Sequence, residues 1–270
     1  MTQEERRLYL IKELLKEQSD YSDVKIPRSA GGQEQLLRSL LNIRLPCAVS
    51  REFLRVQDEY LKAEIDKRGI TEFDALEAVR PGLYIWQGDI TTLRCDAVVN
   101  AANSRMLGCF VPCHSCIDNA IHTFSGVQLR LKCHEIMTMQ GHEEPVGGAK
   151  ITPAYNLPCK YVLHTVGPIV YGELTKQNCT ELRSCYTSCL ELAERNNVRS
   201  IAFCCISTGE FHFPNKEAAE IAVSTVMEYK ERTNSSISVI FNVFKDLDFE
   251  IYSKLLSRDK CVKLFADEYF

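Results

Sequence analysis

The sequence predicts an α/β fold: a largely parallel or mixed sheet with helices on both faces, preceded by a helical extension. Two observations carry this. Up to about Val79 the apolar residues recur at helical spacing, and beyond Pro81-Gly82 they gather in short β-branched or aromatic runs. Those runs alternate with amphipathic stretches long enough for helices, the order expected of parallel strands joined by helical crossovers.

Taken in order, Leu8, Leu10, Ile11, Leu14 and Leu15 mark a first helix, and Leu36, Leu37, Leu40 and Leu41 a second. Val56, Leu61 and Ile65 continue the pattern, with Gly31-Gly32 and Pro46 as breaks. Residues 1–80 therefore read as the extension and 81–270 as the α/β domain. Strands are expected over 83–87, 97–100, 149–152, 161–166, 201–206 and 237–243. Helices are expected over 117–139, 178–196, 214–232 and 247–258. No internal repeat or low-complexity tract interrupts the chain.

Composition narrows the function. A chain of 270 residues with 45% hydrophobic content can bury a full core. A net charge of -4 lacks the basic excess of a nucleic-acid binder, so no nucleic-acid partner is expected. No apolar run reaches membrane-spanning length, so no membrane partner is expected either. The charged, helical start does not read as a signal peptide. Thirteen cysteines, an odd number, then point to a reducing cytoplasm with mostly free thiols. Cys204 and Cys205, in an apolar run, read as small buried hydrophobes.

The stretch Gly108-Cys109-Phe110-Val111-Pro112-Cys113-His114-Ser115-Cys116 places three thiols and an imidazole between a strand and a helix. Accidental packing in a Cys-rich chain is the plain reading. A His between thiols, on a loop with Gly and Pro, favours a metal such as zinc. Cys109, Cys113, His114 and Cys116 are all candidate ligands. Four would close a structural site, whereas three would leave a position for water or substrate.

Other positions have a structural and a functional reading. Ser207-Thr208-Gly209-Glu210-Phe211 leads into a helix near Pro214. It is either an ordinary turn or an anion-binding loop aided by the helix N-terminus. Phe211 and Phe213 tilt it towards binding if their rings are exposed. Asp89, after the first strand, caps a turn or reads a base. Asn100 and Asn103 bracket a bend that their amides could simply stabilise. Asp118 either compensates a helix dipole or acts beside the metal. His122 is expected to pack or to support a ligand.

Gly88-Asp89-Ile90-Thr91, Asp96-Ala97-Val98-Val99-Asn100-Ala101-Ala102-Asn103, Tyr161-Val162-Leu163-His164-Thr165-Val166-Gly167-Pro168 and Ile206-Ser207-Thr208-Gly209 together resemble the macrodomain family of ADP-ribose-binding proteins. In place of a Gly-rich catalytic loop, the Cys-His stretch is similar to that of the zinc-dependent macrodomains, which also carry a helical extension. The resemblance implies a three-layer macrodomain with a mixed central sheet. It assigns one Zn2+ to Cys109, His114 and Cys116, with Cys113 as the variable position. It also implies adenine contacts at Asp89 and Ile90, a distal-ribose contact at Asn103 and a diphosphate loop at Ser207, Thr208, Gly209, Glu210 and Phe211. Phe244 would stack on adenine, and Asp118 aligns with a carboxylate linked to catalysis.

The activity so implied is zinc-dependent removal of mono-ADP-ribose from acidic side chains of modified proteins, with Asp118 and Asn103 at the reacting ribose. Two alternatives share the pocket: a non-catalytic ADP-ribose-binding module and an O-acetyl-ADP-ribose deacetylase. A structural zinc module that binds a protein partner would instead show no ADP-ribose affinity.

Overall fold

The computed structural model describes residues 1–17, 21 and 23–257. Three helices open the chain, α1 (Gln3–Lys16), α2 (Ala30–Ile43) and α3 (Arg51–Arg68). Each begins on a side-chain cap: Thr2, Ser29 and Ser50 accept from backbone N–H groups of their first turns. Leu10, Ile11, Leu14, Leu37, Leu40, Phe53, Val56 and Leu61 form a small core of their own. Val127 and the partly buried Phe124 join it, which docks the extension on the next domain.

The extension's helices end at Arg68, short of the expected boundary at residue 80. β1 (Thr71–Glu72) pairs in parallel with β4 (Leu93–Arg94), and β2 (Ala78–Arg80) already belongs to the main sheet. These strands are too short to show a periodicity in sequence. The others are β3 (Leu83–Gln87), β5 (Ala97–Ala102), β6 (Ala149–Pro153), β7 (Tyr161–Val166), β8 (Ser200–Phe203) and β9 (Ser238–Val243). Seven strands form one mixed sheet in the order β2-β3-β9-β8-β5-β7-β6, antiparallel only where β2 meets β3 and β6 meets β7. The buried apolar runs Val98-Val99 in β5 and Val239-Ile240-Phe241 in β9 are those of a sheet covered on both faces.

The expected helix over 117–139 is two helices, α4 (Ile117–Ser125) and α5 (Val127–Gln140), broken at Gly126 with φ 94°. A backbone in that region suits glycine, and an added Cβ would meet the Gln57 side chain of α3. The expected strand over 201–206 stops at Phe203, because residues 204–214 turn over the sheet edge. α6 (Lys176–Arg195), α7 (Asn215–Thr233) and α8 (Asp246–Ser257) complete the described chain. The predicted end of the last helix, residue 258, and the predicted domain limit at 270 fall outside the described residues.

Candidate functional site

The parallel strands β3, β9, β8, β5 and β7 all finish at one edge of the sheet, where α/β folds bind ligands. The residues singled out for chemistry lie at the ends of these strands, in the loops beyond them or in α4. β3 and β5 are separated by two strands, a span of about 14 Å at the usual interstrand spacing. That length suits an elongated ligand.

Asn100 near the end of β5, Asn103 just beyond it and Asp118 in the first turn of α4 come together. Asn100 Nδ2 donates to Asp118 Oδ1 at 2.8 Å, and Asn103 Nδ2 donates to Asp118 Oδ2 at 3.3 Å. Asn103 Nδ2 also reaches the Gly108 carbonyl at 3.1 Å. Burial pushes the Asp118 carboxyl up to about 6, opposed by Asn100, the Arg130 charge and Asn103. Asp118 thus lies in the first turn of α4 with both carboxylate oxygens held by side-chain amides.

Behind it, Asn100 Nδ2 lies 3.2 Å from His164 Nδ1, and His164 Nε2 lies 2.9 Å from Thr152 Oγ1. Burial holds His164 down at about 3, so its ring is neutral. His122 is buried too, with Nε2 3.6 Å from Asp118 Oδ1, and burial keeps it neutral.

The ligand atoms of Cys109, His114 and Cys116 all lie within 4.8 Å of one another. The Cys113 thiol is turned away, 3.2 Å from Ser39 Oγ. His114 Nδ1 is buried without a hydrogen-bond partner. Burial pushes the Cys116 thiol up to about 12, with Cys109 beside it adding to the rise. Two crowded thiols and an imidazole are a donor set that suits zinc, which would favour the thiolates.

The 207–211 loop follows β8. Ser207 has φ 64°, and its buried Oγ has no partner. Gly167 makes room for it, since a Cβ there would collide with Ser207 Oγ. Thr208 Oγ1 donates to the Cys205 carbonyl at 3.0 Å. A Cβ at Gly209 would meet open space. Glu210 Oε1 lies 3.6 Å from His114 Nε2, which brings this loop to the Cys-His loop. One expectation is corrected: Phe213 is buried in the core at 1% exposure and is no binding ring, while Phe211 is half-buried.

At the other end, Asp89 and Phe244 follow the neighbouring strands β3 and β9. Phe244 is 76% exposed, a ring with a free face. Asp89 Oδ1 accepts from the Thr91 N–H at 2.9 Å, and Oδ2 pairs with Arg68 at 2.6 Å. The Arg68 guanidinium also lies 3.6 Å from the centre of the Phe124 ring. The Ile90 side chain is buried, so a ligand there would meet its backbone. Sequence reasoning missed Arg68, and it missed His164 and Thr152 behind Asn100 and Asp118. Their only local signals were a basic last helical turn and polar residues in apolar strands.

Residues 99–222, from β5 into α7, match the macro domain family. A protein-ADP-ribose hydrolase of Treponema medium is 58% identical over 261 residues, covering 95% of this chain and 100% of the relative. A protein-ADP-ribose hydrolase of Staphylococcus aureus strain MSSA476 is 48% identical over 253 residues, covering 93% and 95%. Among solved structures, a Trypanosoma brucei macrodomain in complex with ADP-ribose is 29% identical with a TM-score of 0.64, covering 81% of this chain and 94% of that one. Such identity over nearly the whole chain, with the family match running from β5 through β8, means that the chain belongs to the macro domain family.

Proposed function

We propose that this protein is a zinc-dependent hydrolase that removes mono-ADP-ribose from acidic side chains of modified proteins. The relatives named protein-ADP-ribose hydrolase support ADP-ribose hydrolysis. The observation that carries the zinc-dependent reading is the meeting of Cys109, His114 and Cys116 in the loop between Asn103 and Asp118.

Bound there, zinc would supply a Lewis acid that lowers the pKa of a water or ribose hydroxyl. This chain's own residues do the rest. Phe244 offers its exposed ring to adenine, with Asp89 and the Ile90 backbone beside it. Ser207, Thr208, Gly209, Glu210 and Phe211 cradle the diphosphate ahead of α7, whose N-terminus favours an anion. That binding energy, remote from the reacting carbon, holds the distal ribose in place. Asn103 orients the ribose. Asp118, with its carboxyl raised by burial, orients the nucleophile or takes its proton. Positive charge develops on the sugar as the carboxylate departs.

The test is release of ADP-ribose from a glutamate- or aspartate-modified protein, with and without a chelator. Release that stops with the chelator and returns with added zinc is expected. Undiminished release from metal-free protein would refute zinc dependence, and no release under any condition would leave a binding module.

A further inference from the structure

The Cys-His loop hangs on the helical extension. Arg38, on α2, donates from Nη2 to the His114 carbonyl at 2.9 Å and to Asn119 Oδ1 at 3.0 Å. Asn119 in turn donates from Nδ2 to the Val111 carbonyl at 3.0 Å, and its N–H points at Cys116 Sγ at 3.4 Å. One turn along α2, Asn42 Oδ1 accepts the Cys113 N–H at 2.9 Å, while its Nδ2 donates to Thr123 Oγ1 at 2.9 Å.

Positions 38 and 42 share one face of α2, as residues four apart on a helix do, while Leu37, Leu40 and Leu41 face the extension's core. Cys113 has φ 54°, a backbone state costly for a residue with a side chain. Something outside the loop must hold it, and Asn42 grips its N–H. At the other side of the loop, Arg130 of α5 donates to the Leu107 carbonyl at 2.7 Å and to the Leu41 carbonyl at the end of α2 at 3.1 Å.

The geometry points to a role for the extension: α2 pre-shapes the zinc loop, with Arg38 as a positioning residue that sets the His114 backbone and, through Asn119, the Cys116 end. This rests on the zinc reading above. A ligand loop assembled before the metal arrives loses less conformational freedom on binding, so loosening its support should weaken metal binding.

The experiment uses the full chain and measures zinc affinity by competition with a chelator, alongside thermal melts of the metal-free proteins. Arg38→Met keeps the aliphatic stem and removes the guanidinium. Arg38→Gln keeps polarity but is too short to serve both acceptors. Each should fold, melt close to the metal-free parent, and bind zinc about 10–100-fold more weakly, the usual effect of losing a partner behind metal ligands. Activity should return at saturating zinc, which a general loss of fold would not allow. A folded variant of either kind that binds zinc with parental affinity overturns the inference alone. A parental protein that binds no zinc overturns this inference and the zinc reading together.

Discussion

Asn100 donates its side-chain amide to Asp118 at 2.8 Å, joining strand β5, near its end, to the first turn of α4. The bond fixes one carboxylate oxygen, and Asn103 holds the other at 3.3 Å. A carboxylate held in this way beside Cys109, His114 and Cys116 is the group on which the proposed chemistry can be tested most directly.

Asp118→Asn is therefore expected to cut turnover by about 10²–10⁴-fold, while zinc content and ADP-ribose affinity stay near parental. Were the carboxylate only offsetting the helix dipole, the cost would be about 0.3–1 kcal/mol of stability with little change in rate. Single-turnover kinetics at saturating substrate decide between them. A variant that keeps close to the parental rate removes Asp118 from the mechanism.

For the metal, about one zinc per chain is expected, as three-ligand catalytic sites hold. Cys113→Ser should retain it, because that thiol faces Ser39, whereas His114→Ala should weaken or abolish binding. Metal analysis of the purified variants reads this directly, and the reverse pattern would move the site to Cys113.

Phe244→Ala and Gly209→Glu should both weaken ADP-ribose binding. The first removes an exposed ring, worth roughly 1–3 kcal/mol if it stacks on the base as in single-strand binders. The second fills open space in the 207–211 loop with a carboxylate that repels the diphosphate. Calorimetry with unchanged affinity in both would put the ligand elsewhere.

Gly108→Ala tests the backbone beside the Cys-His loop. Its φ of 81° disfavours a side chain, and a Cβ would lie 2.7 Å from the His122 ring. A loss of about 1–3 kcal/mol is expected, read as a lower melting temperature. An unchanged melt would show that neither the positive φ nor the His122 contact costs stability here.

The α/β class, the strand-to-helix order and the Cys-His loop are all legible in the chain, since each is written in local periodicity or in neighbouring residues. Asn100, Asn103 and Asp118 are visible there too, as polar residues close along the sequence. Packing, by contrast, splits the helix over 117–139 at Gly126, where Gln57 of α3 lies against the break. Packing also buries Phe213 and leaves Phe244 exposed, because burial depends on what covers a ring and not on its neighbours in sequence. The same holds for the pairing of Arg68 with Asp89, and of Arg38 with His114 across 76 positions of chain. Such contacts join residues far apart in the chain, and their partners are chosen by the packing of the extension on α4, which no local pattern encodes.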